Sequence, residues 1–272
     1  SSVVDEIQYY QQAYNCNHFR FVDESIRADV LKDLCRELVQ RNVQIKFEAY
    51  LTLDRALREP EYASLLYEAG CRQAFFGLES IGAETRTIIQ KAGAHPEVIP
   101  DILSTTAEAG IMNYVFVLIG IPTAPKAEEI DTCRFLIENE SVHVATLSAF
   151  VADRHSPIDY EHSSPDLALK VDTQPLGDLT TELGYTVNGT DPRLAVRKRA
   201  KTYVNEIFRA RKDLALTNLL NDELRFLLAS RFGNAFGQKV ADTVETVDYS
   251  QLKDASLQHT VAERIERHLE ER

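Results

Sequence analysis

Gln73-Ala74-Phe75-Phe76-Gly77-Leu78-Glu79-Ser80 crowds aromatic and apolar residues together and then ends in a carboxylate and a hydroxyl. A carboxylate accepts hydrogen bonds from hydroxyls or an ammonium, and a serine both donates and accepts. Two other stretches end in a comparable way. Phe19-Arg20-Phe21-Val22 runs into Asp23 and Glu24, and the apolar run from Tyr114 to Ile119 runs into Gly120-Ile121-Pro122. In a parallel α/β sheet or barrel, ligands bind at the carboxyl ends of strands. The plainer alternative for Glu79 and Ser80 is a solvated loop acid and a helix N-cap. His155 follows the last strand of the series, and a lone loop histidine of this kind commonly has no role.

The elements that must position these residues are legible from periodicity. Residues 3–14 read as a helix with Val3, Val4, Ile7, Tyr10 and Tyr14 near one face. Residues 26–40 give the clearest amphipathic helix, with Ile26, Val30, Leu31, Leu34, Cys35, Leu38 and Val39 on one stripe. Residues 43–51 alternate as a strand, which leaves Glu48 and Tyr50 pointing either into a lumen or out to solvent. A helix from about Pro60 closes at Gly70, and strand 73–79 follows. Helices at 82–91 and from Pro96 to Gly110 precede the continuous apolar strand 114–122, which suits burial on both faces. A helix at 127–139 and a strand at 142–150 complete the series. Five strands alternating with helices predict βαβ units and a parallel sheet. The tripeptide Glu-Ala-Gly, at 68–70 and again at 108–110, precedes an apolar strand each time.

Beyond residue 150 the composition shifts. His155-Ser156-Pro157, Ser163-Ser164-Pro165 and Gln174-Pro175-Leu176-Gly177 predict loops. Asp191 as N-cap and Pro192 in the first turn open a helix to about residue 212, and another is expected near 214–231. Residues 254–272 read as charged and helical or frayed. The organisation expected is therefore an α/β barrel domain over 1–150 and a loop-rich, mainly helical extension over 151–272.

Composition bounds the function. The net charge of −12 disfavours a grip on nucleic-acid phosphates. The basic run Arg193, Arg197, Lys198, Arg199 and Lys201 reads as the solvated face of a helix. No apolar run approaches the roughly 18–20 residues that span a bilayer, and residues 1–6 lack the pattern of a signal peptide. The four cysteines, Cys16, Cys35, Cys71 and Cys133, have no zinc or iron–sulfur spacing. They read as buried, reduced thiols of a cytoplasmic protein.

Three segments together resemble the radical S-adenosylmethionine (SAM) enzymes, most of all the group whose core often follows a cobalamin-binding domain. Phe19-Arg20-Phe21-Val22-Asp23-Glu24-Ser25-Ile26 is similar to that family's F-x-F-x-D-[DE]-x-[FI] strand end. Leu65-Leu66-Tyr67-Glu68-Ala69-Gly70-Cys71 leading to Phe76-Gly77-Leu78-Glu79-Ser80 resembles its L-L-x-x-A-G-C and F-G-[IL]-E-S passage. Ala109-Gly110-Ile111 leading to Phe116-Val117-Leu118-Ile119-Gly120-Ile121-Pro122 resembles its A-G-I and F-I-x-G-[LI]-P passage. The resemblance covers about residues 1–150, and the order and spacing of the three segments make it specific.

The resemblance implies a partial (β/α)6 barrel, of which this chain holds strands two to six. It implies SAM and a 4Fe–4S cluster as cofactors, an electron donor for the cluster, and leaves cobalamin open. It places Asp23 and Glu24 at the methionine amino group, Glu79 and Ser80 at the ribose hydroxyls, and Gly120-Ile121-Pro122 near adenine. In the family a C-x3-C-x2-C loop after strand one binds the cluster, and no such motif occurs here. The expectation is an N-terminally truncated piece, with its cluster loop ahead of Ser1 and no turnover by the chain as it stands. Thr123-Ala124-Pro125 stands where the family often has Gly-Glu-Thr, and Leu51-Thr52-Leu53-Asp54 lacks an arginine common near the third strand's end. The acidic balance favours a small-molecule or peptide substrate. A non-catalytic scaffold or binding module that has lost its cluster, with residues 151–272 as its interaction surface, is the alternative. An ordinary barrel lyase or aldolase would want a lysine or a metal-binding histidine cluster at strand ends, and none is visible.

Overall fold

The computed structural model describes residues 2–91, 93, 95–156, 163–164, 167–172, 181–241 and 269–270. Helix α1 (Ser2–Tyr14) precedes five strands: β1 (His18–Ile26), β2 (Lys46–Leu51), β3 (Cys71–Glu79), β4 (Met112–Ile119) and β5 (Val144–Ala149). They form one sheet in the order β1-β2-β3-β4-β5, and every neighbouring pair is parallel. Between them run α2 (Ala28–Gln40), α3 (Pro60–Glu68), α4 (Ala83–Ile88), α5 (Ile99–Glu108) and α6 (Lys126–Glu138). Sequential strand order with helical crossovers is the arrangement of a barrel wall. This is the α/β architecture expected from the alternation, a partial barrel with a helical region behind it.

Period two sorts each strand between two cores. On β3, Ala74, Phe76 and Leu78 join the main core with Leu31, Cys35 and Leu38 of α2, Leu66 of α3, and Ile102 and Leu103 of α5. Phe75 faces the other way, with Met112, Tyr114 and Val144. Fully burying a side chain such as Phe76, at 0 % exposure, contributes about 1.5–3 kcal/mol. Glycines set the turns into β3 and β4. Gly70 has φ +112° and leaves no room for a Cβ against the Ile45 carbonyl. Substitution there is strained on both counts.

The second half departs from the expectation of a loop-rich stretch followed by two helices. Short strands β6 (Ala152–Asp153), β7 (Ser163–Ser164), β8 (Leu169–Val171), β9 (Glu182–Leu183) and β10 (Tyr185–Val187) make two small antiparallel sheets. They bury Leu169, Val171, Leu183 and Tyr185 against Ile121. Runs of two or three residues are too short to show period two in a sequence. The loop expected at Gln174–Gly177 lies outside the described residues. So does the terminal helix expected at 254–272, except for Leu269 and Glu270.

The helix after Pro192 is α7 (Arg193–Ala210). Asp191 supports its start from one position further out, accepting from the Arg193 N–H at 3.0 Å. The helix expected near 214–231 is two, α8 (Lys212–Leu219) and α9 (Asp222–Phe232), and a short α10 (Phe236–Val240) follows. Asn221 interrupts it because its side chain caps the Leu224 N–H at 2.9 Å. These helices bury Leu216, Leu220, Leu228, Ala229 and Phe236 on the inner face of the sheet, beside Phe75 and Tyr114.

The basic run on α7 is not simply a solvated face. Arg193 pairs with Asp191 at 2.7 Å, Arg197 with Glu182 at 2.6 Å and Arg199 with Glu129 at 2.8 Å. Packing of α7 against α6 and the small sheets supplies Glu129 and Glu182, and Asp191 precedes the helix itself. Cys35, Cys71 and Cys133 are buried, and Cys16 is half-buried. No described helix is long and apolar enough to cross a membrane.

Candidate functional site

The inner face of the sheet carries a layered set of side chains. In the lowest layer Glu48, 2 % exposed, accepts from Arg20 Nε at 2.5 Å and from Gln73 Nε2 at 2.7 Å. Glu48 thus points inward. Burial pushes its carboxyl above the usual carboxylate range, against the pull of the Arg20 guanidinium. Above it Tyr50, Phe75 and Phe116 stack across β2, β3 and β4. The Tyr50–Phe75 centroids are 4.6 Å apart with the planes inclined 19°, and those of Phe75–Phe116 are 6.1 Å apart at 16°. Ring stacks of this kind form where three neighbouring parallel strands put an aromatic on one face.

Over the rings, at the carboxyl ends of the strands, lies a cavity of about 340 Å3. Its walls are Glu24, Tyr50, Thr52, Phe75, Gly77, Glu79, Lys91 and Phe116, with Leu51 and Leu53. Two of the carboxylates singled out from the sequence therefore share one cavity. The strands deliver them by breaking register. The β1–β2 pairing shifts between Phe21 and Ile26, and the β3–β4 pairing between Gly77 and Glu79. Such irregularities re-aim side chains at strand ends. Glu79 has φ +59°, a conformation uncommon for residues other than glycine. Its carboxylate accepts from Lys91 Nζ at 3.0 Å.

The remaining candidates have other surroundings. Asp23 is exposed and is not among the residues of the cavity wall. Ser80, 3 % exposed, is engaged in packing: its Oγ lies 3.2 Å from Thr132 Oγ1 and accepts from the Gly82 N–H at 2.9 Å. Gly120 has φ +81°, and a Cβ there would fall 2.2 Å from Val196 Cγ1 of α7. Its missing side chain thus admits a helix. Its N–H donates to Glu129 Oε1 at 2.7 Å. Ile121 is 4 % exposed under the small sheets, and Pro122 is buried beside it. His155 is exposed in a loop at φ +65°.

Lys91, Phe75 and Phe116 are site residues that nothing in the sequence singles out, and Tyr50, left open between lumen and solvent, points inward. Period two along β3 groups Phe75 with Gly77 and Glu79, which is the available signal for the rings. Nothing in the spacing marks Lys91, because it arrives from a loop.

A second cavity, of about 500 Å3, shares Leu51 and Thr52 with the first and lies between Arg27, Asp29 and Lys32 on one side and Asp54, Leu57 and Tyr62 on the other. Lys32 Nζ there sits 5.0 Å from the centroid of the Tyr62 ring.

No protein-family model matches the chain, and no curated relative matches it. Solved structures do match. The radical S-adenosylmethionine methyltransferase TsrM from Kitasatospora setae, with cobalamin and a 4Fe–4S cluster bound, superposes with a TM-score of 0.63 at 16% identity, over 98% of this chain and 55% of that one. TsrM with tryptophan substrate and a SAM analogue bound superposes with a TM-score of 0.56 at 17% identity, over 77% of this chain and 46% of that one. The chain spans about half the length of these neighbours. It has the fold of the radical SAM enzymes.

The residues present fit one of that family's two common ligands and not the other. The cavity offers two carboxylates and one ammonium over an aromatic floor. A nucleoside with a cationic amino-acid tail complements that set: hydroxyls and an ammonium for the acids, a base for the apolar wall. The cysteines do not fit a cluster. Among the described residues no three His, Cys, Asp or Glu side chains gather as metal ligands. Burial pushes the Cys133 thiol up to about 11 and the Cys35 thiol up to about 12, which disfavours the thiolate a metal needs.

Proposed function

We propose that this chain carries the SAM-binding mouth of a radical SAM enzyme acting on a small molecule or peptide. The observation that carries the reading is the meeting of Glu24 of β1 and Glu79 of β3 in one cavity, at the carboxyl ends of two parallel strands with β2 between them, in the fold of TsrM. Glu79 would accept from the ribose hydroxyls, and Glu24 would receive the methionine ammonium. Tyr50, Phe75 and Phe116 would exclude water beneath the ligand. When SAM is bound to a reduced cluster in such enzymes, it supplies a 5′-deoxyadenosyl radical. The cluster's three thiolates would come from outside these residues, and the isolated chain would bind the nucleoside without cleaving it. Cobalamin, which TsrM binds, belongs to the same proposal.

Calorimetric titration with S-adenosylhomocysteine tests the reading. The chain is expected to bind it, and Glu79→Ala is expected to weaken binding by about tenfold, the loss of one charge-assisted hydrogen-bonding group. Unchanged affinity in Glu79→Ala would remove the cavity from the account. The alternative of a scaffold without catalysis draws on Ser80, Gly120 and Ile121, which are all spent on packing. A wild-type chain that binds no nucleoside would favour that reading.

A further inference from the structure

Lys91 reaches the cavity by a route that two glycines keep open. After α4 the chain turns back: Gln90 has φ +50°, and the Lys91 N–H donates to the Arg86 carbonyl at 2.9 Å. Arg86 is 5 % exposed and donates to the carbonyls of Leu78 at 2.8 Å and Ser80 at 3.3 Å, so this turn is fastened to the end of β3. At Gly77 a Cβ would stand 2.6 Å from Lys91 Nζ. The ammonium thus occupies the side-chain space that Gly77 leaves empty. At Gly93 (φ +105°) a Cβ would stand 2.9 Å from the Leu53 carbonyl, so the loop also lies close on the end of β2. Lys91 Nζ ends 3.0 Å from Glu79 Oε1, with its side chain 29% exposed and that of Glu79 18%.

The glutamate carboxylate lies three side-chain torsions beyond its Cα, so the backbone alone does not fix where it points. The ammonium held against Gly77 gives that carboxylate one fixed partner. It engages Oε1 and leaves the rest of the carboxylate's accepting capacity for a ligand. Paired hydroxyls on neighbouring carbons need that group in one orientation, whereas a single hydroxyl tolerates several.

We propose that Lys91 is a positioning residue that fixes the Glu79 carboxylate to read a vicinal diol, making the cavity selective for a ribose over a deoxyribose. The inference rests on the nucleoside reading of the cavity. A merely structural lysine would alter affinity for both sugars alike, so discrimination is the measurement that isolates the role.

The test titrates the wild-type chain, Lys91→Met, Lys91→Arg and Gly77→Ala with S-adenosylhomocysteine and with its 2′-deoxyadenosyl counterpart. Cooperative thermal unfolding is checked for each variant. Wild type is expected to prefer the ribo ligand by tenfold or more. In Lys91→Met the ribo ligand should weaken about tenfold and the deoxy ligand less than twofold. Lys91→Arg should restore the preference to within threefold, and Gly77→Ala should reduce it, because a Cβ there would fall 2.6 Å from Lys91 Nζ and 2.8 Å from Glu79 Oε1 and so disturb the pair. Equal weakening of both ligands in Lys91→Met, or an undiminished preference, overturns the positioning role while leaving the nucleoside site standing. A wild-type chain that binds both ligands equally overturns this inference and leaves the nucleoside site standing, whereas one that binds neither overturns the nucleoside reading and this inference with it.

Discussion

Glu129→Ala is expected to weaken the tie between α7 and the end of β4. Glu129 is 8 % exposed, and its carboxylate serves two elements at once. Oε1 accepts from the Gly120 N–H at 2.7 Å and from Arg199 Nη2 at 3.1 Å, and Oε2 accepts from Arg199 Nε at 2.8 Å. Truncation leaves the buried Gly120 N–H without an acceptor, at about 1–3 kcal/mol. It also removes a charge-assisted pair whose arginine is 27% exposed. Solvent around that arginine reduces the pair's share to about 1 kcal/mol. The sum is about 3 kcal/mol, a large part of the 5–15 kcal/mol typical of a domain. Glu129→Gln keeps an acceptor for Gly120 and should lose about half as much. Equilibrium urea unfolding measures both, and a double-mutant cycle with Arg199→Met isolates the pair. A loss under about 1 kcal/mol for Glu129→Ala, or a coupling near zero, would refute the claim that this carboxylate ties the end of β4 to α7.

Two further outcomes follow from buried groups. His143 is 6 % exposed, its Nδ1 accepts from the Asn113 N–H at 2.9 Å, and burial lowers its pKa to about 4. The folded value lies below the unfolded one, near 6.5. Its contribution is therefore fully present above pH 6.5 and is lost as pH falls toward 4. Wild type should lose about 2 kcal/mol between pH 7 and pH 5 through this group. His143→Gln should flatten that slope in urea titrations at the two pH values, and an unchanged slope would exclude His143 as its source. Gly120→Ala should destabilise by about 3 kcal/mol, combining strain at positive φ with overlap on Val196. Val196→Ala in the same chain should recover the overlap and leave the strain.

The barrel half of the molecule was legible because its cues are local. Continuous apolar runs at β3 and β4, the stripe on α2, and the glycines after α3 and α5 each mark an element without reference to anything distant. Glu24 and Glu79 were legible as strand-end acids for the same reason. The neighbour of Gly120, Val196, lies far along the chain in a helix whose docking no local pattern announces. Ser80 is alike: its partner Thr132 sits on α6. Lys91 was invisible because its meaning depends on the empty space at Gly77, which only folding brings beneath it. The small sheets of 152–187 escaped because their strands are shorter than a period can register.

The central claim is that the cavity above Tyr50, Phe75 and Phe116 is a nucleoside site. A crystal structure of the chain soaked or grown with S-adenosylhomocysteine tests it most directly. The account predicts the ribose hydroxyls within hydrogen-bond distance of Glu79, with the amino-acid tail toward Glu24. Ligand bound instead in the groove between Arg27 and Tyr62, with Glu79 still held by Lys91 alone, would contradict it.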